Sequence, residues 1–469
     1  MSIETSVLSQ IKSVLGVRGY IDRPSEMERF LVAWRGGWRG TSPLIALPAD
    51  TQQVSDVVKI CAHNKIAIVP QGGNTGTVGG CIPDSTGDQI VIGLSRMNKI
   101  REMDKSGFTV TAESGVILQN MQEAALAAGL LFPMSMASQG SAHIGGAVST
   151  NAGGTAVLRY GNTRNLVLGV EAVLASGEIY KGLRGLRKDN TGYNLTQYFV
   201  GAEGTLGIIT ASTLRLFPKP QRTLTAIASL PDAEAALELF GDFGKECGEY
   251  LSAFEIVSQI AMALVLKNIP GARLPGSPAP YYTLIELDAT SANAPLREMF
   301  ENVASKALEE GSISDAVVAE NITQQRQFWF LRENISEAIR KEPSAIHFDI
   351  ALPLAQLPDF LDKTGPLIKA VAPDIALAPF GHIGDGNLHY NMCFGRKPDN
   401  LIELKTHIQD IVYEEVMKRS GSLSAEHGIG TARKPVLKRY KDPLEIELMR
   451  KIKAAFDPDG LMNPGKIFD

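Results

Sequence analysis

The sequence predicts an α+β protein of two or three domains. Three observations predict it. The chain has 469 residues, enough for more than one core. Many of its 45 glycines gather at 72–80, 140–154, 201–207, 381–386 and 421–430, while the stretch from about 221 to 370 is sparser in Gly. Short β-branched runs also alternate with segments of helical period. The contrast suggests a Gly-rich ligand-binding part first, a conventional sheet-and-helix part after it, and a last Gly-rich segment that returns to the first.

The elements follow in order. Residues 1–30 read as helix then loop, and 44–48 as a short apolar strand ending at Pro48. Thr51 opens a helix over 52–64, because Val54, Val57, Val58, Cys61 and Ala62 fall on one face. The β-branched run 66–69 is a strand that enters Pro70-Gln-Gly-Gly-Asn-Thr-Gly76 directly. Strands follow at 89–94 and 108–112, then an Ala-rich helix at 118–128 ended by Gly129. A hairpin at 167–181 turns on Ala175-Ser-Gly177, and a strand at 208–216 closes at Pro218 and Pro220, the best domain boundary. Beyond it, helices are expected at 233–240, 294–310, 328–341, 357–371 and 401–419, with strands at 281–287 and 345–352 and a strand-then-helix unit at 252–266. On the 328–341 helix, Arg332, Ser336 and Arg340 are spaced to share one face.

Composition narrows the function. Net charge is −5, from 46 basic and 51 acidic residues, so nothing favours nucleic acid or an anionic membrane. Cys61, Cys81, Cys247 and Cys393 lack CxxC spacing and read as reduced, buried residues. No apolar run approaches the ~20 residues needed to span a bilayer. The N-terminus lacks a secretory or Arg-rich targeting pattern, which gives a cytoplasmic expectation.

The most informative spacing is His382 to His389, in Pro379-Phe-Gly-His-Ile-Gly-Asp-Gly-Asn-Leu-His-Tyr-Asn391. On a straight helix the two imidazoles would stand ~10 Å apart in height. On a straight strand they would be ~23 Å apart on opposite sides. Asp385-Gly386 is a turn signal, and a tight reversal there brings the pair together. Glu426-His427 supplies a further carboxylate and imidazole. Two neutral imidazoles and one carboxylate suit a borderline divalent metal with an open position. The bland alternative is a set of hydrogen-bonded structural histidines, and spacing alone does not choose between them.

The loop 70–76 follows a strand, and its Gly-freed amides can form a nest for phosphate oxygens. A P-loop and a Rossmann fingerprint are both absent. One such loop would be a plain turn; three clusters in one region favour an extended phosphate-containing ligand. Pro70-Gln-Gly-Gly-Asn-Thr-Gly76 resembles the pyrophosphate loop of the vanillyl-alcohol-oxidase (PCMH-type) FAD enzymes. Ser138-Gln-Gly-Ser-Ala-His-Ile-Gly-Gly146, Asn151-Ala-Gly-Gly154 and Arg159-Tyr-Gly161 resemble its second flavin segment. Lys188-Asp-Asn-Thr-Gly-Tyr193 and Gly201-Ala-Glu-Gly-Thr-Leu-Gly-Ile-Ile-Thr210 resemble its third, and Asn463-Pro-Gly-Lys466 its C-terminal strip by the isoalloxazine. Gly381-His382, His389-Tyr-Asn391 and Glu426-His-Gly428 are similar to the D-2-hydroxyglutarate and D-lactate dehydrogenase branch, which includes proteins like the glycolate oxidase large subunit.

The resemblance implies a two-lobed PCMH-type FAD-binding domain at 1–220, an antiparallel-sheet substrate cap with flanking helices at 221–420, and a segment at 421–469 returning to the flavin. It implies non-covalent FAD on Pro70, Gly72, Gly73, Asn74, Thr75 and Gly76. From the second segment come Ser138, Gly140, Ser141, Ile144, Gly145, Gly146, Asn151, Gly153 and Gly154. Glu203, Gly204, Gly207, Ile209 and Asn463 complete that set, with Glu203 and Ile209 near the adenosine end. It implies His382, His389 and Glu426 as ligands for Zn²⁺, with Mn²⁺ or Fe²⁺ as alternatives, and His427 as general base. Arg332 would take a substrate carboxylate, with Ser336, His347 and Asn391 in the same pocket. The branch has Lys where His347 stands, which leaves the substrate open. The implied reaction oxidises a D-2-hydroxy acid to the 2-oxo acid by hydride transfer to flavin N5. Electrons would go on to an electron-transfer flavoprotein or a quinone, and a homodimer is allowed. The alternatives are an oxidase using O₂, a flavoprotein subunit of a larger dehydrogenase complex and, with the Gly-rich loops against it, a flavin-free metallohydrolase.

Overall fold

A computed structural model describes residues 3–468. They divide into two compact units. The first takes the chain up to Gly154, Gly161–Lys219, and the chain from Glu426 onward. The second takes Thr155–Tyr160 and Pro220–Ala425.

The first unit carries two main sheets. In the four-stranded sheet, Ala67–Gln71 and Ile45–Ala46 flank Gln89–Gly93 in parallel, and Tyr20–Ile21 adds an antiparallel edge. The helix Thr51–His63 covers it. Asp50 caps that helix by accepting from the Gln53 amide. Its buried face of Val54, Val57, Val58 and Cys61 packs on Ile68, Ile90 and Ile92. Each such aliphatic side chain contributes roughly 1.5–3 kcal/mol on burial. The core includes Met462, and the last segment is stitched to the strand before the 70–76 loop. The Ile68 amide donates to the Leu461 carbonyl at 2.8 Å and the Asn463 amide to the Ile68 carbonyl at 2.7 Å. The second sheet is antiparallel, in the order Ile100–Asp104, Thr109–Glu113, Ile208–Arg215, Val167–Val173, Ile179–Gly182.

The second unit is an eight-stranded antiparallel sheet with helices on both faces, as the sequence predicts for that region. Its order runs Asp315–Val318, Arg222–Leu230, Tyr281–Ala289, Leu251–Ser258, Ala376–His382, Asn387–Phe394. Ser344–Ile346 and Asp349–Ala351 both pair with the outer side of Asn387–Phe394. One face buries Phe254 against Phe240 and Phe243, with Phe300 beyond. The other lies under the helices Gln259–Asn268, Ile322–Glu333 and Ile335–Arg340, where Val257, Tyr282, Leu284 and Phe380 meet Val265, Phe328 and Ile335. The expected single helix over 328–341 is interrupted. Asn334 ends one helix and begins the next, and its side-chain amide donates to the Phe330 carbonyl at 2.8 Å. Such back-bonding competes with helix propagation. The expected strand over 345–352 is likewise split at His347-Phe348.

Candidate active site

The Gly-Asp-Gly segment makes the reversal its composition suggests. Ala376–His382 and Asn387–Phe394 form a hairpin joined by a short 3-10 turn over Ile383–Asp385, and Gly386 takes φ 78°. Phe380 lies opposite His389 and His382 opposite Asn387, so the two histidines are diagonal neighbours on one face. Their ring centroids are 5.6 Å apart, and a ring nitrogen of each lies within 4.8 Å of the other's.

Each histidine has a carboxylate directly across the sheet. Glu255 pairs with His382, and Asp349 with His389, giving a row of acid, imidazole, imidazole, acid over four strands. Glu255 Oε1 lies 2.6 Å from His382 Nδ1, and its Oε2 accepts from Arg332 Nε at 2.6 Å. Burial would raise the Glu255 carboxyl, but Arg332 and His382 beside it hold it below the usual range. Asp349 Oδ1 is 3.8 Å from His389 Nδ1 and accepts from Asn387 Nδ2 at 3.0 Å. The Arg332 guanidinium lies over the Phe380 ring at 4.7 Å, and that ring is 5.0 Å from His389. An imidazole backed by a carboxylate on Nδ1, as His382 is by Glu255, is an arrangement that divalent metals favour, because it fixes the tautomer and raises ligand basicity. The donor chemistry therefore fits such an ion.

Glu426 is the residue after Ala425, whose amide donates to the Asp349 carbonyl at 3.3 Å. In the first unit the Glu426 carboxylate lies close over Gly153: a Cβ there would stand 2.3 Å from Oε1. His427 lines a groove of that unit that is partly open to solvent. Of the cofactor residues expected from sequence, Pro70, Gly72, Gly73, Asn74, Thr75, Gly76, Gly145, Gly146, Glu203, Gly204, Gly207 and Ile209 line this groove. Ser138, Gly140, Ser141, Ile144, Asn151, Gly153, Gly154 and Asn463 do not line it. Gly73 is needed for close approach: a Cβ would meet the Ser141 carbonyl oxygen at 2.0 Å. Thr77 Oγ1, His143 Nδ1 and Asn463 Oδ1 are buried polar atoms without a hydrogen-bond partner among the described residues. His143 lines the groove, and burial pushes its imidazole below the usual range. The unsatisfied His143 nitrogen at the groove suits a ligand that supplies its partner.

The structure places the remaining expected residues as follows. Ser336 does not share a face with Arg332: the chain breaks at Asn334, leaving Ser336 exposed and Arg332 buried. Arg340 pairs with Glu337 at the surface. The Asn74 side chain is tied to the fold, donating to the carbonyls of Arg29 and Val32 at 3.0 and 2.8 Å. The Glu203 carboxylate accepts from the amides of Ile429 and Gly430 at 2.8 and 2.7 Å, which anchors the turn carrying His427. His347 Nδ1 lies 3.1 Å from Asn391 Oδ1, so these two form a pair. Glu255, Asp349 and His143 were not anticipated. A lone carboxylate in the apolar run Leu251–Ser258 is the signal that could have found Glu255.

Residues 42–182 match the family "FAD binding domain", and residues 219–467 match "FAD linked oxidases, C-terminal domain". The chain belongs to the FAD-linked oxidase family. It is 37% identical over 468 residues to the mitochondrial D-2-hydroxyglutarate dehydrogenase of Arabidopsis thaliana, covering 99% of this chain and 82% of that protein. It is also 37% identical to a putative mitochondrial D-lactate dehydrogenase of Schizosaccharomyces pombe, covering 97% and 88%. Among solved structures, p-cresol methylhydroxylase with substrate bound superposes with TM-score 0.76 at 16% identity, covering 99% of this chain and 96% of that one, which is a likeness of fold. The chain is thus an FAD oxidoreductase. The cytoplasmic expectation is overturned, because these relatives are named as mitochondrial. All four cysteines are unpaired. Among the described residues no helix is long and apolar enough to cross a membrane.

Proposed function

We propose that this protein oxidises a D-2-hydroxy acid to the 2-oxo acid, using non-covalent FAD and a divalent metal, Zn²⁺ first, held by His382, His389 and Glu426. The observation that carries the reading is the pair of carboxylate-backed histidines on one sheet face, in a chain of the FAD-linked oxidase family. The relatives named for D-2-hydroxyglutarate and D-lactate support the substrate class. When bound, the flavin supplies the hydride acceptor and the ion a Lewis acid. Arg332, tethered through Nε, offers its terminal amino groups to the substrate carboxylate. His427 takes the hydroxyl proton, a role imidazole suits near neutral pH. The His347–Asn391 pair meets the remainder of the substrate, and a short imidazole there holds a second carboxylate less firmly than the Lys of the branch would. The electrons would go on to a carrier such as an electron-transfer flavoprotein or a quinone.

The test is anaerobic bleaching of the purified flavoprotein by a panel of D- and L-2-hydroxy acids, with and without chelator. D-acids should bleach it and chelator should stop them. Bleaching that is indifferent to chelator, or equal for L-acids, sinks the reading. Rapid peroxide formation in air would reassign the protein as an oxidase.

A further inference from the structure

We infer that Glu255 is the positioning residue of the metal site, fixing the tautomer and orientation of His382 and tying that ligand to Arg332 through one carboxylate. The inference rests on the proposed metal reading and goes beyond it. Glu255 is fully buried on the strand Leu251–Ser258, directly across from His382. A carboxylate can only accept, so at 2.6 Å from Nδ1 it places the imidazole proton there. Nε2 then carries the lone pair. The other carboxylate oxygen is held by Arg332 Nε, also at 2.6 Å, so the carboxylate cannot swing and His382 is fixed against rotation.

The counterpart on His389 is looser. Asp349 Oδ1 stands 3.8 Å from His389 Nδ1, beyond hydrogen-bonding distance, and is shared with Asn387. Of the two carboxylates, Glu255 is the one within hydrogen-bonding distance of its histidine. Because one carboxylate serves both His382 and Arg332, the group that would receive the substrate carboxylate is registered against the metal ligand. A 2-hydroxy acid reaching both needs that separation kept.

Glu255→Gln tests this. A side-chain amide has one acceptor oxygen, so it can serve His382 or Arg332 but not both. In the full-length, FAD-loaded protein, Zn²⁺ affinity measured by competition with a chromogenic chelator should fall about 10–100-fold. KM for the hydroxy acid should rise, while flavin content stays unchanged. The Zn²⁺-induced rise in Tm should shrink, whereas a merely structural role would lower Tm equally with and without Zn²⁺. If Glu255→Gln fails to fold, Glu255→Asp keeps the charge but is one methylene too short for both partners, and the same loss is expected. Unchanged Zn²⁺ affinity in the folded variant overturns the inference alone. A wild-type protein that takes up neither Zn²⁺ nor Mn²⁺ overturns the metal reading with it.

Discussion

Gly153→Ala isolates Glu426 without touching it. Gly153 is absent from the left-handed backbone positions, so alanine is tolerated by the main chain. The new Cβ would stand 2.3 Å from Glu426 Oε1, 3.2 Å from Cδ and 3.3 Å from Cγ. Ordinary contact begins at 3.4 Å, so Oε1 must retreat by about 1 Å. The obstacle is the far end of a flexible side chain, so the fold should yield there and survive. Metal–ligand distances tolerate only ~0.2 Å, so the retreat should weaken coordination through Oε1. A ~1 Å misplacement of a reacting group can cost ~10²-fold, or about 2.7 kcal/mol of transition-state stabilisation. The assay is the anaerobic rate of flavin bleaching by D-2-hydroxyglutarate and D-lactate, beside Zn²⁺ and FAD stoichiometry. FAD should remain, since Gly153 does not line the groove. A variant that keeps both its Zn²⁺ and its bleaching rate would refute Glu426 as a ligand.

Two further outcomes are expected. His427→Ala should keep its metal and its FAD but bleach roughly 10²–10⁴ slower, as for loss of a general base; an unchanged rate would remove His427 from the chemistry. Burial first, then the charge of Asp288, pushes the Glu286 carboxyl up to about 7, against hydrogen bonds from Trp329, Thr225 and Ser252. A carboxyl whose folded pKa is raised binds its proton more tightly in the folded state, so its stabilisation is complete at low pH and is lost as pH rises from about 4.5 to about 7. On the order of 3 kcal/mol is at stake. Glu286→Gln should therefore flatten the fall in Tm between pH 5 and pH 8, and an identical fall in both proteins would refute the assignment.

The histidine hairpin was legible because its signal is local. Asp385-Gly386 marks the reversal, and two histidines flank it. What the chain could not disclose was register, which decides that the pair is diagonal and shares its face with Glu255. That carboxylate lies 127 residues earlier, and its partnership exists only once the strands are ordered in the sheet. The break at Asn334 was hidden for a different reason. Helical spacing continues through it, and only the side-chain bond to Phe330 shows that propagation loses there. The helices Lys434–Tyr440 and Pro443–Phe456 also went unread, because the Gly-rich loops on either side dominated that stretch. Asn74 shows the limit of motif reading: the residue is where the motif puts it, but its side chain holds Arg29 and Val32.

The grip of Glu203 on Ile429 and Gly430 has a consequence for timing. Both carboxylate oxygens are satisfied by main-chain amides of the protein itself. The turn after His427 is therefore built by folding, not by ligand. The entropy of ordering it, about 1–2 kcal/mol for each residue fixed, is incurred once per folded molecule and not once per turnover. An empty protein would already hold His427 at the wall of the groove, so cofactor loading meets a finished surface.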